Sequence, residues 1–195
     1  MRQGLSTVDI PSGAIVTPLA RDTARDNGVK LRTVAPGAQA AVTATAPHVV
    51  AIGSDHGGYD FKRILSKLVR DAGWQVLDVG TDSVESCDYP DFAYAVGRAV
   101  AARHAAWGIM IDGAGIGSAI ACNKIDGIRA ACAYSEFTAW NARAHNDANV
   151  LTLGSRSLGI EVCKRIVHVF LSTSFEGGRH QRRVDKMSDI EARSD

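Results

Sequence analysis

The 195-residue chain has no apolar run approaching the length of a membrane-spanning helix, and its first 30 residues lack the apolar core of a secretory signal. It has no excess of charge of either sign: 22 Lys and Arg against 21 Asp and Glu leave a formal net charge of +1. Nucleic acid and anionic membrane surfaces select a concentrated basic face, and only the GGRHQRR stretch near the C-terminus is locally basic. Neither partner is expected. Cysteine is scarce and scattered: Cys87, Cys122, Cys132 and Cys163 form no CxxC pair, and no neighbouring histidines complete a zinc pattern. These thiols read as small buried apolar side chains in a reducing compartment, which predicts a cytoplasmic protein without a metal. What remains is 46% hydrophobic and 22% charged, the composition of an ordinary folded domain.

Residues 1–46 differ from the rest and read as an extension. The tract TVAPGAQAAVTATAP, Thr33 to Pro47, is rich in small residues without helical or strand period and reads as a flexible linker. Before it, Thr17 suits an N-cap, Pro18 a first helical turn and Gly28 a helix stop, so one short helix is predicted there. Residues 47–195 form the main domain. HVVAIGS, WQVLDVG, WGIMID, GIRAACA and NVLTLGS read as strands, and segments with apolar residues at helical spacing alternate with them. The tail beyond Leu171 is charged and is expected to be partly helical. The alternation predicts an α/β protein: a three-layer αβα, Rossmann-like fold around a five-stranded parallel sheet. Ligands of such sheets bind beyond the carboxyl ends of the strands, so Ser54-Asp55-His56, Gly80-Thr81, Asp112-Gly113 and Gly154-Ser155-Arg156 are the stretches to watch.

One strand end stands out. In GIMIDGAGIGSAIACNK the apolar run closes on Asp112, and Gly113, Gly115 and Gly117 alternate in the loop that opens the next helix. Such spacing lets backbone N–H groups approach an oxyanion or phosphate. Ser118 stands where a dinucleotide fingerprint needs glycine, and no Gly-Lys-Ser/Thr follows, so neither nucleotide motif is present. A carboxylate beside an oxyanion hole suits removal of a proton from carbon next to a carbonyl, with the N–H groups stabilising the enediolate. Asp112 as the cap of the following helix is an equally good reading of the same residue. Asp55 and His56 can bind sugar hydroxyls or cap the next helix. His145 and Asn146, just before the fifth strand, are placed on the ligand-facing edge of the sheet. Arg179 and Arg183, four apart, share a face if the tail is helical and could grip a phosphate.

GSDHGGYDFK, DVGT, CDYPDFA, GxGIGSAIACNKIDGIRAA, ARAHNDANVLTLGSR and FEGGRHQRRV together resemble the type B ribose-5-phosphate isomerase family, which includes the galactose-6-phosphate isomerase subunits. The resemblance is collinear from about Val49 to Ile190. It implies metal-free and cofactor-free interconversion of an aldose phosphate and a ketose phosphate through a cis-enediol, with ribose 5-phosphate and ribulose 5-phosphate the default pair. It implies substrate contacts from Asp55, His56 and Tyr89, furanose opening by His145, and an enediolate held by Asn146. Gly113, Gly115 and Gly117 would supply the anion hole, and Arg156, Arg179 and Arg183 would take the phosphate, with His56 a further candidate. It also implies a homo-oligomer, a dimer or tetramer, with active sites shared between subunits.

The departures fall at the chemical centre. Many members of that family carry a cysteine base where this chain has Asp112; others carry a glutamate where Ser118 stands. Ala114 replaces a common threonine or serine. Asp112 as the carbon base, a different four- to six-carbon sugar phosphate as substrate, and a non-catalytic partner subunit are the three explanations. Retention of Asp55, His56, Tyr89, His145, Asn146 and the arginines favours the first two. TPLARDTARDNGVKL in the extension resembles short segments of bacterial microcompartment-associated proteins, which implies docking to a shell protein.

Overall fold

A computed structural model of the chain describes residues 7–11, 25, 29–34 and 48–193. The chain divides into two units, residues 1–44 and 45–195. In the first unit, β1 (Thr7–Pro11) and β2 (Lys30–Val34) pair in parallel, with Thr7 opposite Lys30 and Pro11 opposite Val34. These strands correct the sequence reading, which began the linker at Thr33 and saw no strand before His48. KLRTV alternates polar and apolar residues only from Lys30 to Arg32, both exposed, a strand signal too short to stand out beside the tract that follows. The helix expected from Thr17 to Gly28 lies outside the described residues save Arg25, which is helical, and so does the expected linker from position 35 to 47.

The second unit runs β3 (Val49–Ser54), α1 (Tyr59–Asp71), β4 (Gln75–Asp78), α2 (Tyr89–Ala101), β5 (Trp107–Asp112) and α3 (Ile116–Cys122). It continues through β6 (Ala130–Cys132), α4 (Glu136–Asn146), β7 (Val150–Gly154), α5 (Ile160–Ser172) and α6 (Gln181–Glu191). The five strands are all parallel, in the order β4-β3-β5-β7-β6, as the alternation predicts.

Side-chain alternation sorts the core into two layers. Val50, Ile52, Ile109, Ile111, Leu151 and Leu153 face α1, α4 and α5, where Leu65, Val69, Ala142, Ile166 and Phe170 meet them. Ala51, Met110 and Val150 face α2 and α3, against Val96, Val100 and Cys122. A sheet covered on both faces explains why these strands are near-continuous apolar runs.

Two features position the site. The chain moves outward from β3 to β4, then returns across β3 to β5, so the order reverses between β3 and β5. Helices leave on opposite faces at such a switch point and open a crevice above the strand tips, which here end in Ser54 and Asp112. The second feature is α4. Ser135 and Thr138 form a capping box at its start, and Asp147 closes it in the left-handed region at φ 45°. Its 11 residues rise about 16 Å, roughly the length of a five-residue strand. It therefore returns the chain to the opposite edge of the sheet before β7 begins.

Candidate active site

The carboxyl edge carries most of the expected residues. Asp55 is buried, and its Oδ1 accepts from the Gly58 N–H at 3.0 Å, which turns the chain into α1. His56 follows; its Nδ1 accepts from the Cys87 N–H at 3.2 Å, so the loop before α2 holds the ring. Two residues on, Tyr89 lies so close to Gly117 that a Cβ there would stand 2.6 Å from the phenol oxygen. The glycine loop is thus packed under Tyr89, and a side chain at position 117 would have to displace that ring. Gly115 adopts φ +81°, and a Cβ there would also lie 2.8 Å from Cys132 Sγ. Arg156 arches over the same loop: its N–H donates to Gly113 O at 3.0 Å and its side chain borders Gly113 and Gly57.

Asp112 is the surprise of this edge. Its carboxylate is buried and turned into the loop rather than toward the crevice. Oδ1 accepts from the N–H groups of Ala114, at 2.7 Å, and Gly115; Oδ2 accepts from the Ser118 N–H, at 3.2 Å, and from the Ser118 hydroxyl. A carboxylate has about four acceptor positions, and here each has a donor. Gly115, not Asp112, is the N-cap of α3, but Asp112 takes the Ser118 N–H of its first turn, so the arrangement comes nearer the capping reading of the sequence than the base reading. It also divides the anion hole. Gly115 gives its N–H to Asp112, while those of Gly113 and Gly117 have no acceptor among the described residues.

The remaining residues lie elsewhere. His145 and Asn146 occupy the last turn of α4, so they stand at the amino edge of the sheet, not at the ligand-facing edge where the sequence reading put them. The reason is topological: in a parallel sheet the residue just before a strand has already returned to the amino side. Arg179 and Arg183 stand there too, Arg179 just ahead of α6 and Arg183 within it, with Arg183 Nη1 donating to Arg179 O at 3.1 Å. The tail is pinned to α4 by the Glu176 N–H, which donates to Ala144 O at 3.0 Å. The His145 and His180 rings stack at 3.9 Å, and Glu176 Oε2 lies 3.4 Å from His145 Nε2 and 3.8 Å from His180 Nε2. Burial, His145 and Arg179 together push the His180 imidazole below its ordinary range.

Sequence reasoning passed over Asn141, Glu176 and His180, which build this second array. The signal for Asn141 was its place one turn before His145 on the same helix face. A cavity of about 590 Å³ opens beside the array, lined by Phe137, Asn141, Asn146, Met187 and Ile190 among others. Ile116 and Ile120 on α3, with Tyr134 and Phe137, leave large apolar side chains exposed.

The carboxyl edge is that of a parallel α/β protein with a glycine loop at its switch point. Residues 50–187 match the family described as Ribose/Galactose Isomerase. The chain is 44% identical over 144 residues to the ribose-5-phosphate isomerase B of Escherichia coli (strain K12), covering 74% of this chain and 97% of that one. Its fold matches the ribose-5-phosphate isomerase B of Clostridium thermocellum with a TM-score of 0.73 at 45% identity, covering 74% and 97% of the two chains. It matches the Mycoplasma genitalium enzyme, crystallised with bound ribulose 5-phosphate, at 0.73 and 41%, covering 75% and 97%. The chain belongs to the Ribose/Galactose Isomerase family.

Proposed function

We propose that the chain interconverts ribose 5-phosphate and ribulose 5-phosphate through a cis-enediol, at sites completed by two copies of the chain. The observation that carries this reading is the pair of N–H groups at Gly113 and Gly117 left without an acceptor among the described residues, beside Arg156 and Tyr89 respectively. Relatives named for this reaction support it. Asp55, His56 and Tyr89 hold sugar hydroxyls, and the loop takes the enediolate oxygen. His145 assists ring opening, Asn146 holds the enediolate, and Arg179 and Arg183 join Arg156 on the phosphate. The two groups of residues lie at opposite edges of one sheet, about 16 Å apart, farther than a pentose phosphate spans. A second copy that docks its amino edge over the first copy's loop brings them together, and the exposed apolar side chains of α3 and α4 give it a surface to cover.

Asp112 carries the proposal's finer part. As carbon base it must release one of its loop donors to reach the sugar. The four bonds it makes favour a second reading, in which it organises the loop and another group takes the proton. Incubation with ribose 5-phosphate in deuterated water decides both questions. The wild-type protein is expected to introduce deuterium at the carbon next to the carbonyl. Failure with every sugar phosphate of four to six carbons would leave a non-catalytic partner subunit. If Asp112 is the base, Asp112→Asn abolishes exchange by about a thousandfold or more with phosphate affinity kept. If it serves the loop alone, exchange persists within about tenfold and the loss appears as a lowered Tm.

The extension is proposed as a docking segment for a microcompartment shell protein. Deleting residues 1–46 should leave turnover intact and abolish co-purification with shell protein; unchanged co-purification refutes it.

A further inference from the structure

Three groups of the amino-edge array, His145, Glu176 and His180, bring ligand-type atoms within 4.8 Å of one another, which invites a metal. Ring geometry argues against one. The imidazoles stack with planes 7° from parallel, so their Nε2 lone pairs lie side by side rather than converging on one point. Arg179 Nε–H also donates to His180 Nε2 at 3.3 Å. The array is a hydrogen-bonding frame, and one side chain sets its polarity.

That side chain is Asn141, and its orientation follows step by step from a group that can only accept. The Asn141 backbone carbonyl lies 3.1 Å from Asn146 Nδ2, so the end of the Asn146 amide facing it must be the nitrogen. The same Asn146 Nδ2 lies 3.2 Å from the Asn141 side-chain oxygen, which fixes that amide in turn. Asn141 therefore presents its NH2 group to His145 Nδ1, at 2.9 Å. Nδ1 must accept, and the neutral imidazole carries its hydrogen on Nε2. Nε2 lies 3.4 Å from Glu176 Oε2 without hydrogen-bond geometry, so the carboxylate sits beside that N–H rather than holding it.

The geometry points to Asn141 as a positioning residue that sets the tautomer of His145 and the amide orientation of Asn146 together. The role rests on the reading of the site proposed above. His145 then offers a sugar oxygen the Nε2–H donor, and Asn146, its Nδ2 turned to both Asn141 oxygens, presents its Oδ1 as an acceptor to a hydroxyl of the enediol. Asn141 touches no substrate; it acts through its two neighbours on α4.

The test separates this inference from the function it serves. In the full chain carrying 13C,15N-labelled histidine, the His145 signals are assigned by comparison with a His145→Gln variant. They are then read above the ordinary imidazole titration range. The wild-type ring is expected as the Nε2–H tautomer. Asn141→Asp keeps an acceptor for Asn146 but turns a carboxylate toward Nδ1, and is expected to move the hydrogen to Nδ1. Asn141→Leu, which imposes neither choice, should give a mixture. On ribose 5-phosphate both variants should lose kcat by on the order of tenfold with KM within about twofold, because the phosphate arginines are untouched. An Nε2–H ring in Asn141→Asp, or turnover equal to wild type, overturns the assignment. A wild-type protein that converts no sugar phosphate yet shows the tautomer switch would refute the isomerase reading and leave this one standing.

Discussion

The two edges of one sheet carry the two halves of the candidate site, and they are built differently. At the carboxyl edge, backbone does most of the work. Glycine N–H groups, a strand-tip carboxylate and a positive-φ turn are fixed by the sheet itself, and Tyr89 and Arg156 close over them. At the amino edge the functional side chains hang from the last turn of α4 and a tail segment, and a web of imidazole, amide, carboxylate and guanidinium groups orients them. The first half is preorganised by fold and the second by side-chain chemistry. Substitutions should therefore damage them in different ways.

The largest effect expected tests whether the halves serve one site across two chains. Arg156→Ala breaks the carboxyl edge and His145→Ala the amino edge, and each alone should lose activity by about a hundredfold or more. Unfolded together and refolded as an equal mixture, they should recover about a quarter of wild-type activity. Half of the dimers are then mixed, and each mixed dimer has one intact site of two. A mixture no better than its components would place both halves of a working site in one chain.

A smaller effect distinguishes the two kinds of scaffolding. Asp147 holds Arg143 at 2.9 Å and Arg129 at 2.8 Å, and closes α4 in the left-handed region. Arg143 is buried over the Trp107 ring at 3.9 Å; burial pulls its guanidinium pKa down while Asp147 opposes that shift. Asp147→Ala leaves that cation without its carboxylate and puts alanine in a left-handed conformation that aspartate adopts more readily. It should cost about 3 kcal/mol in denaturant melts. At the other edge, Ser118→Ala removes one donor from Asp112 and leaves three backbone donors, for about 1 kcal/mol. Equal losses would erase the distinction between side-chain and backbone support.

The same distinction explains how much the sequence disclosed. The five strands of the main sheet, the helices between them and the residues at the strand tips were legible, because apolar periodicity and strand-to-loop boundaries are local signals. The places of Arg156 and Asp112 at the strand tips were legible, since they follow from topology, and Tyr89 came from the family resemblance; the direction of the Asp112 carboxylate was not legible, because it depends on competition among donors two to six residues away. His145 was placed on the wrong edge although the chain held the correction: α4 must run the depth of the sheet before β7. Asn141 was invisible for another reason. An asparagine at i−4 to a histidine is commonplace, and only the neighbouring amide reveals which end it turns. β1 and β2 were missed because five-residue strands in a segment of small residues carry little pattern.

The smallest expected effect measures the carboxyl edge without any substrate. Cys122 ends α3, and its thiol is buried and donates to Ala93 O at 3.2 Å. Burial first, and the negative charge of Asp112 second, push it from the ordinary 9.0 up to about 12. The unfolded chain thus releases this proton near pH 9 while the folded chain keeps it. The thiol's contribution is fully present below that pH and falls as pH rises toward the folded value. Relative to Cys122→Ala at each pH, the wild-type protein should lose about 1.4 kcal/mol of stability between pH 8 and pH 10. Asp112→Asn removes the charge and should lower the pH at which that loss levels off, while Asn141→Leu, at the other edge, should leave it where it was. A flat difference between wild type and Cys122→Ala across this range would show that the thiol titrates alike in the folded and unfolded chains. A levelling-off unmoved by Asp112→Asn would show that burial alone raises the thiol.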